Sequence, residues 1–184
     1  MVPIELIILI FALILVISIV WGTLRTGISP MMSSGQARQA MLDCIREPHG
    51  GQFIDLGSGW GTLVIPLAQK YPGRQVIGYE LSFLPWCVSV VRKYCLGLHN
   101  LTLYRRDFKS ANLDGASVLF CYLHPGGMLS LQEKLEKEGA PGMVIISNTF
   151  ALPSAQPIDT IQLDDLYRTL IYKYSWGAGG ARGQ

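Results

Sequence analysis

The chain has 184 residues, of which 49% are hydrophobic, enough for one domain with a sizeable core and little more. A formal net charge of +2 is too close to neutral to imply a nucleic-acid partner. The four cysteines, Cys44, Cys87, Cys95 and Cys121, fall in no ligand spacing, which predicts reduced core thiols and neither disulfides nor a metal site.

From Leu6 to Trp21 no residue is charged and only Ser18 is polar. With Val2 to Glu5 added, about twenty residues give about 30 Å of helix, the thickness of a bilayer core. The leading expectation is a single-pass transmembrane helix in a lipid bilayer, with residues 1–24 as the anchor. A cleaved signal peptide and a buried core helix are the alternatives. No Lys or Arg precedes the apolar run and no A-x-A site follows it, while a core helix would show a polar face. Basic residues lie only on the C-terminal flank, at Arg25, Arg38 and Arg46, which predicts that the rest of the chain is cytoplasmic or on the organellar matrix-equivalent side.

Residues 25–48 read as a linker followed by a helix. Ser33 or Ser34 is its N-cap, it runs to about Arg46, and Ala37, Ala40, Met41, Cys44 and Ile45 form its apolar stripe. A domain over residues 49–176 then alternates strand and helix. Strands are expected at Gln52 to Leu56, Gln75 to Tyr79, Leu101 to Arg105, Ser117 to Leu123 and Met143 to Asn148. The helices between them are expected at Thr62 to Lys70, Pro85 to Leu96 and Met128 to Glu138. That order predicts an α/β, Rossmann-like, mostly parallel sheet with helices on both faces. "IDTIQL" and "YRTLIYKYSW" read as an antiparallel hairpin closed by a tight turn at Asp164-Asp165, for seven strands in all. Residues 177–184, "GAGGARGQ", read as a flexible tail. "EKLEKE" reads as the solvated face of a helix.

The first strand-to-helix turn, "DLGSGWG", carries Asp55, Gly57, Ser58, Gly59 and Gly61. Ligands bind doubly wound sheets at this edge, and bare glycines let the backbone approach them closely. The third glycine comes one residue too early for the G-x-G-x-x-G dinucleotide fingerprint, with Thr62 in its place, so a nicotinamide oxidoreductase is the weakest reading. Asp55 would oppose a pyrophosphate but suits a ligand with an ammonium group. Glu80, about twenty residues on, ends the second strand where an acid accepts ribose hydroxyls, unless it is a solvated strand-end carboxylate. Asp107, in "YRRDF", is positioned to accept from an adenine amine or to cap a turn. Ammonium, ribose and adenine together describe S-adenosyl-L-methionine.

On these motifs the chain resembles the class I, seven-β-strand methyltransferases from about Ser29 to Trp176. "GISPMMSS", "DLGSGWG", "GYELSFLPW" and "CYLHPGGM" are similar, more narrowly, to the membrane-anchored protein-lysine methyltransferases that modify the c-ring of ATP synthase and the adenine nucleotide carrier, and to their prokaryotic relatives. The resemblance implies a cofactor site of Ser33, Asp55, Gly57, Ser58, Gly59, Gly61, Glu80, Leu81, Asp107 and Phe108, with Pro30 to Ser34 folded over it. It further implies a lysine acceptor on a membrane protein, and no nucleic acid or metal. Tyr122, His124 and Pro125, after the fourth strand, are the expected catalytic residues. His124 is either a general base or the cap of the turn, and Tyr122 either faces the acceptor or packs on the sheet. Trp60 and Trp86 are expected to pack around the cleft, and His49 and His99 to have no role. A lipid, quinone or other small-molecule acceptor is the alternative, as is a cofactor-binding membrane module without turnover.

Overall fold

A computed structural model describes residues 3–10, 13, 33–45 and 50–177. The described residues form a seven-stranded sheet in the order β3-β2-β1-β4-β5-β7-β6, with β1 Gln52–Leu56, β2 Val76–Tyr79, β3 Leu101–Tyr104, β4 Ala116–Cys121, β5 Val144–Asn148, β6 Asp159–Gln162 and β7 Leu170–Ser175. The first five strands are parallel, and β7 runs antiparallel to both β5 and β6. Strand order reverses between β1 and β4, so the crevice for a ligand opens above the carboxyl ends of those two strands.

Short apolar runs become central strands here because both faces of the sheet are covered. On one face Phe53, Val76, Val118, Phe120 and Ile146 pack under α1 (Gly35–Asp43) and α2 (Val64–Lys70). On the other, Ile54, Leu56, Leu119 and Ile145 meet Met128, Leu131 and Leu135 of α4 (Pro125–Glu138). Helix α3 (Phe83–Cys95) runs between β2 and β3. Asn100 secures the end of α2, its side-chain amide donating to the carbonyls of Ala68, Tyr71 and Arg74 at 3.0, 3.1 and 3.0 Å.

Several expectations need correction. No helix among the described residues is long and apolar enough to cross a membrane, against the expected membrane localisation; most of the expected anchor lies outside the described residues. Residues 4–10 and 13 are helical; residues 1, 2, 11, 12 and 14–32 of the expected span and linker lie outside the described residues, as do 46–49 and the tail from 178. Helix α4 starts at Pro125, three residues before the expected Met128. Proline fits this position because the first helical residue needs no N–H partner. The β6–β7 connection is not a two-residue turn. Residues 163–169 form it, closed by Leu163 N–H donating to the Thr169 carbonyl at 2.8 Å and by Asp165 accepting from Thr169 N–H at 2.8 Å. Lys134 of "EKLEKE" is buried, its ammonium 2.7 Å from Glu138. Cys95 is exposed and Cys87 half-buried, so only Cys44 and Cys121 are core thiols.

Candidate active site

The turn after β1 is held by backbone. Gly57 and Ser58 N–H both donate to the Tyr79 carbonyl at 2.9 Å, binding the turn to the end of β2. Gly57, Gly59 and Gly61 take φ of +85°, +52° and +73°, values that L side chains rarely adopt. Gly61 is also a packing position: a Cβ there would lie 2.9 Å from Ile65 Cδ1 and 3.0 Å from Ser89 Oγ.

Glu80 joins the two strand ends. Its Oε2 accepts from Gly59 N–H at 2.8 Å and its Oε1 from Ser82 N–H at 2.6 Å. The side chain is thus a fixed, buried acceptor and not a solvated terminal carboxylate. Ser89 Oγ, from α3, donates to the Gly59 carbonyl at 2.8 Å and braces the turn from the other side.

Asp55 is buried. Removal from water, and then the negative charge of Glu80, push its carboxyl up to about 7. Ser58 Oγ is buried without a hydrogen-bond partner. A carboxyl held against its ordinary range and a partnerless buried hydroxyl, three residues apart on one turn, mark that turn as a candidate ligand site.

Asp55 and Ser58 are among the residues that line a cavity of about 430 Å³, within the usual size of a small-molecule site. Of the residues singled out from sequence, Ser33, Asp55, Gly57, Ser58, Gly59, Glu80, Leu81, Asp107, Phe108, Tyr122 and His124 line it. Gly61 and Pro125 do not; Gly61 spaces α2 from α3, and Pro125 is the first residue of α4. Trp60 lines the cavity, whereas Trp86 is turned away, its indole N–H donating to the Leu103 carbonyl at 3.2 Å.

The two serines before α1 divide their tasks. Ser34 is the N-cap, accepting from Ala37 N–H at 3.1 Å. Ser33 borders the cavity and accepts from the Asn148 side-chain amide at 3.1 Å, pinning the segment before α1 to the end of β5. At the opposite end, Asp107 caps the 3-10 turn Phe108–Ser110 through Oδ1, which accepts from Lys109 N–H at 2.9 Å.

Over the end of β4 lie Tyr122 and His124. His124 stands at the N-cap position of α4 with no side-chain cap bond. Its ring lies over the first helical turn, where a Cβ at Gly126 would approach Cε1 to 3.0 Å. Tyr122 is stacked on Phe150, centroids 6.4 Å apart and planes inclined by 21°. Cys121 also borders the cavity, but burial pushes its thiol up to about 12, so it is no nucleophile at neutral pH.

Sequence reasoning missed Met41, Arg106, Ser130 and Phe150, all of which line the cavity. Phe150 had a usable signal: it follows β5 as Tyr122 follows β4, and parallel neighbours end on one edge.

Comparison with known proteins bears on the family and the fold. Residues 55–159, more than half of the chain, match the ANTKMT methyltransferase domain. The adenine nucleotide translocase lysine N-methyltransferase of Mus musculus is 28% identical over 141 residues, 75% of this chain and 60% of that protein. The lysine N-methyltransferase of the ATP synthase C-subunit from Homo sapiens is 34% identical over 120 residues, 64% of this chain and 48% of that protein. The chain therefore spans about half to three-fifths of the length of these curated relatives. A crystal structure of an RNA methyltransferase from Salinibacter ruber in complex with S-adenosyl-L-homocysteine shares the fold, with a TM-score of 0.74 at 21% identity over 83% of this chain and 98% of that one. Since the matched segment starts at Asp55, in the glycine turn, and runs through Glu80, Asp107 and the end of β4, the chain belongs to the ANTKMT methyltransferase domain family.

Proposed function

We propose that this chain is an S-adenosyl-L-methionine-dependent protein-lysine N-methyltransferase. The observation that carries the reading is Glu80, whose carboxylate locks the glycine turn to the end of β2 at the rim of the cavity. The buried, partnerless Ser58 hydroxyl and the raised Asp55 carboxyl fit the cofactor, since both gain from a ligand that brings donors and positive charge. The lysine acceptor follows the two relatives named above, whose activity is on protein lysines.

In this reading Asp55 faces the cofactor's ammonium, Glu80 accepts from its ribose hydroxyls with lone pairs left over from Gly59 and Ser82, and Asp107 and Phe108 border the adenine. When bound, the cofactor supplies a sulfonium methyl: the acceptor's lone pair forms the N–C bond as the S–C bond breaks and its electron pair returns to sulfur. The chain's task is to hold a deprotonated amine in line with that bond. His124 takes the proton the lysine ammonium must first lose, from a ring held over Gly126 and Gly127. Tyr122 borders the acceptor.

Calorimetry with S-adenosyl-L-homocysteine tests the cofactor, and labelled methyl transfer into extracts of cells lacking the gene tests the acceptor. Label should enter protein, with lysine mass increments of about 14 Da per methyl and retention of charge. Label confined to lipid or RNA would overturn the lysine assignment.

A further inference from the structure

We infer that Phe150 is a specificity-determining residue, forming with Tyr122 an aromatic wall that selects a cationic amine on an alkyl stem over a neutral acceptor. The inference rests on the methyltransferase reading and adds to it a residue and a basis of choice.

The geometry is built, not incidental. Both rings border the cavity from adjacent parallel strands, and they stack on each other while half-exposed to it. The chain after β5 is bent sharply to put Phe150 there. Thr149 has φ +69°, a rare value for a β-branched residue, and Phe150 N–H donates two residues back to the Asn148 carbonyl at 2.8 Å. Three further bonds hold this γ-turn. Thr149 N–H donates to the Leu170 carbonyl at 2.7 Å, Thr149 Oγ1 donates to Asn148 Oδ1 at 3.0 Å, and Ser147 Oγ donates to the Phe150 carbonyl at 2.6 Å. Strain retained in this way points to a functional position, because an ordinary strand end would relax.

Aromatic faces carry a negative quadrupole that attracts a cation within about 6 Å of the ring centroid. A methylated lysine stays cationic however many methyls it carries, and nitrogen gains positive charge as the bond to carbon forms. An aromatic wall at the acceptor end therefore favours the ammonium as it docks and the charge that returns to nitrogen as the N–C bond forms, while the neutral amine between those states gains nothing from it. A hydroxyl acceptor gains neither benefit at binding.

The test uses the full chain saturated with S-adenosyl-L-homocysteine and two probes: Nα-acetyl-Nε-trimethyllysine methyl ester and its neutral isostere with carbon in place of the ammonium nitrogen. The wild-type protein should prefer the charged probe. Phe150→Leu should weaken that probe about five- to tenfold and leave the neutral one unchanged, while Phe150→Tyr restores the preference. Equal losses for both probes, or no loss, would overturn the aromatic wall while leaving the cofactor reading intact. Failure of the wild-type chain to bind S-adenosyl-L-homocysteine would overturn both.

Discussion

Replacing Asp55 with asparagine should make the ligand-free protein more stable at pH 8 and much poorer at holding its cofactor. Burial and then Glu80 move the Asp55 carboxyl from 3.8 to about 7. The folded state therefore binds more protons than the unfolded state between pH 4 and 7, and stability falls as pH rises through that window. Above pH 7 the whole penalty is in force. A displacement of about three units at about 1.4 kcal/mol each gives a penalty on the order of 4 kcal/mol. Asparagine has nearly the same shape and cannot ionise. Urea unfolding should find Asp55→Asn level with wild type near pH 4 and ahead by up to about 4 kcal/mol at pH 8. Calorimetry at pH 6 in two buffers of different ionisation enthalpy should show wild type releasing about one proton as the cofactor's ammonium settles beside Asp55, and the variant releasing none. A stability gap that does not widen between pH 4 and pH 8 would refute the desolvation argument.

The remaining predictions address the turn and its supports. Gly61→Ala should cost about 2–4 kcal/mol in urea unfolding, since the new Cβ meets Ile65 and Ser89 at positive φ; a cost below about 0.5 kcal/mol would contradict the packing role. Glu80→Gln should leave either Gly59 N–H or Ser82 N–H facing an amide donor, losing about 1–3 kcal/mol. Its affinity for S-adenosyl-L-homocysteine, read by calorimetry, should fall at least about tenfold. Asn100→Ala strips three carbonyls at the end of α2 of their donor and should cost about 1–3 kcal/mol. Because Asn100 is not a cavity residue, its cofactor affinity should be unchanged, and a parallel loss of binding would count against a purely structural role.

What could be read in the sequence was whatever depends on neighbours along the chain. Apolar runs bounded by turn residues located the five parallel strands to within two residues, because a buried parallel strand is apolar on both faces. The glycine turn and Glu80 were legible because a close backbone approach and a strand-end acid leave marks at fixed spacing. Features that depend on what lies across space were not. The helix was expected only from Met128, yet Gly126 and Gly127 lie inside α4, where the His124 ring rests over them. The β6–β7 connection looked like a two-residue turn because alternation cannot register Arg168 at φ +48° or the Leu163–Thr169 closure. Phe150 joined the site only once the registry of β4 and β5 set its ring beside Tyr122. At the N-terminus hydropathy identifies residues suited to a bilayer, but no helix among the described residues is long and apolar enough to span one.

The unfavourable features gather on one edge of the sheet. Asp55 holds a carboxyl shifted to about 7, Ser58 a hydroxyl without a partner, and Thr149 a strained backbone. Each lies at or just beyond the carboxyl end of β1 or β5. Away from this edge comparable demands are met: Gln132 accepts from Ser154 N–H at 2.7 Å, and the Tyr174 hydroxyl accepts from Leu152 N–H at 3.0 Å. Packing alone gives no reason for the asymmetry, since an uncharged residue at position 55 and an apolar one at position 58 would fill the same space at lower cost. A ligand does give one. In the proposed reading an ammonium beside Asp55 would lower the cost of its charge, a donor to Ser58 would end its isolation, and a cation against Phe150 would make use of the bend at Thr149. Energy withheld from folding at these three positions is thereby available to binding.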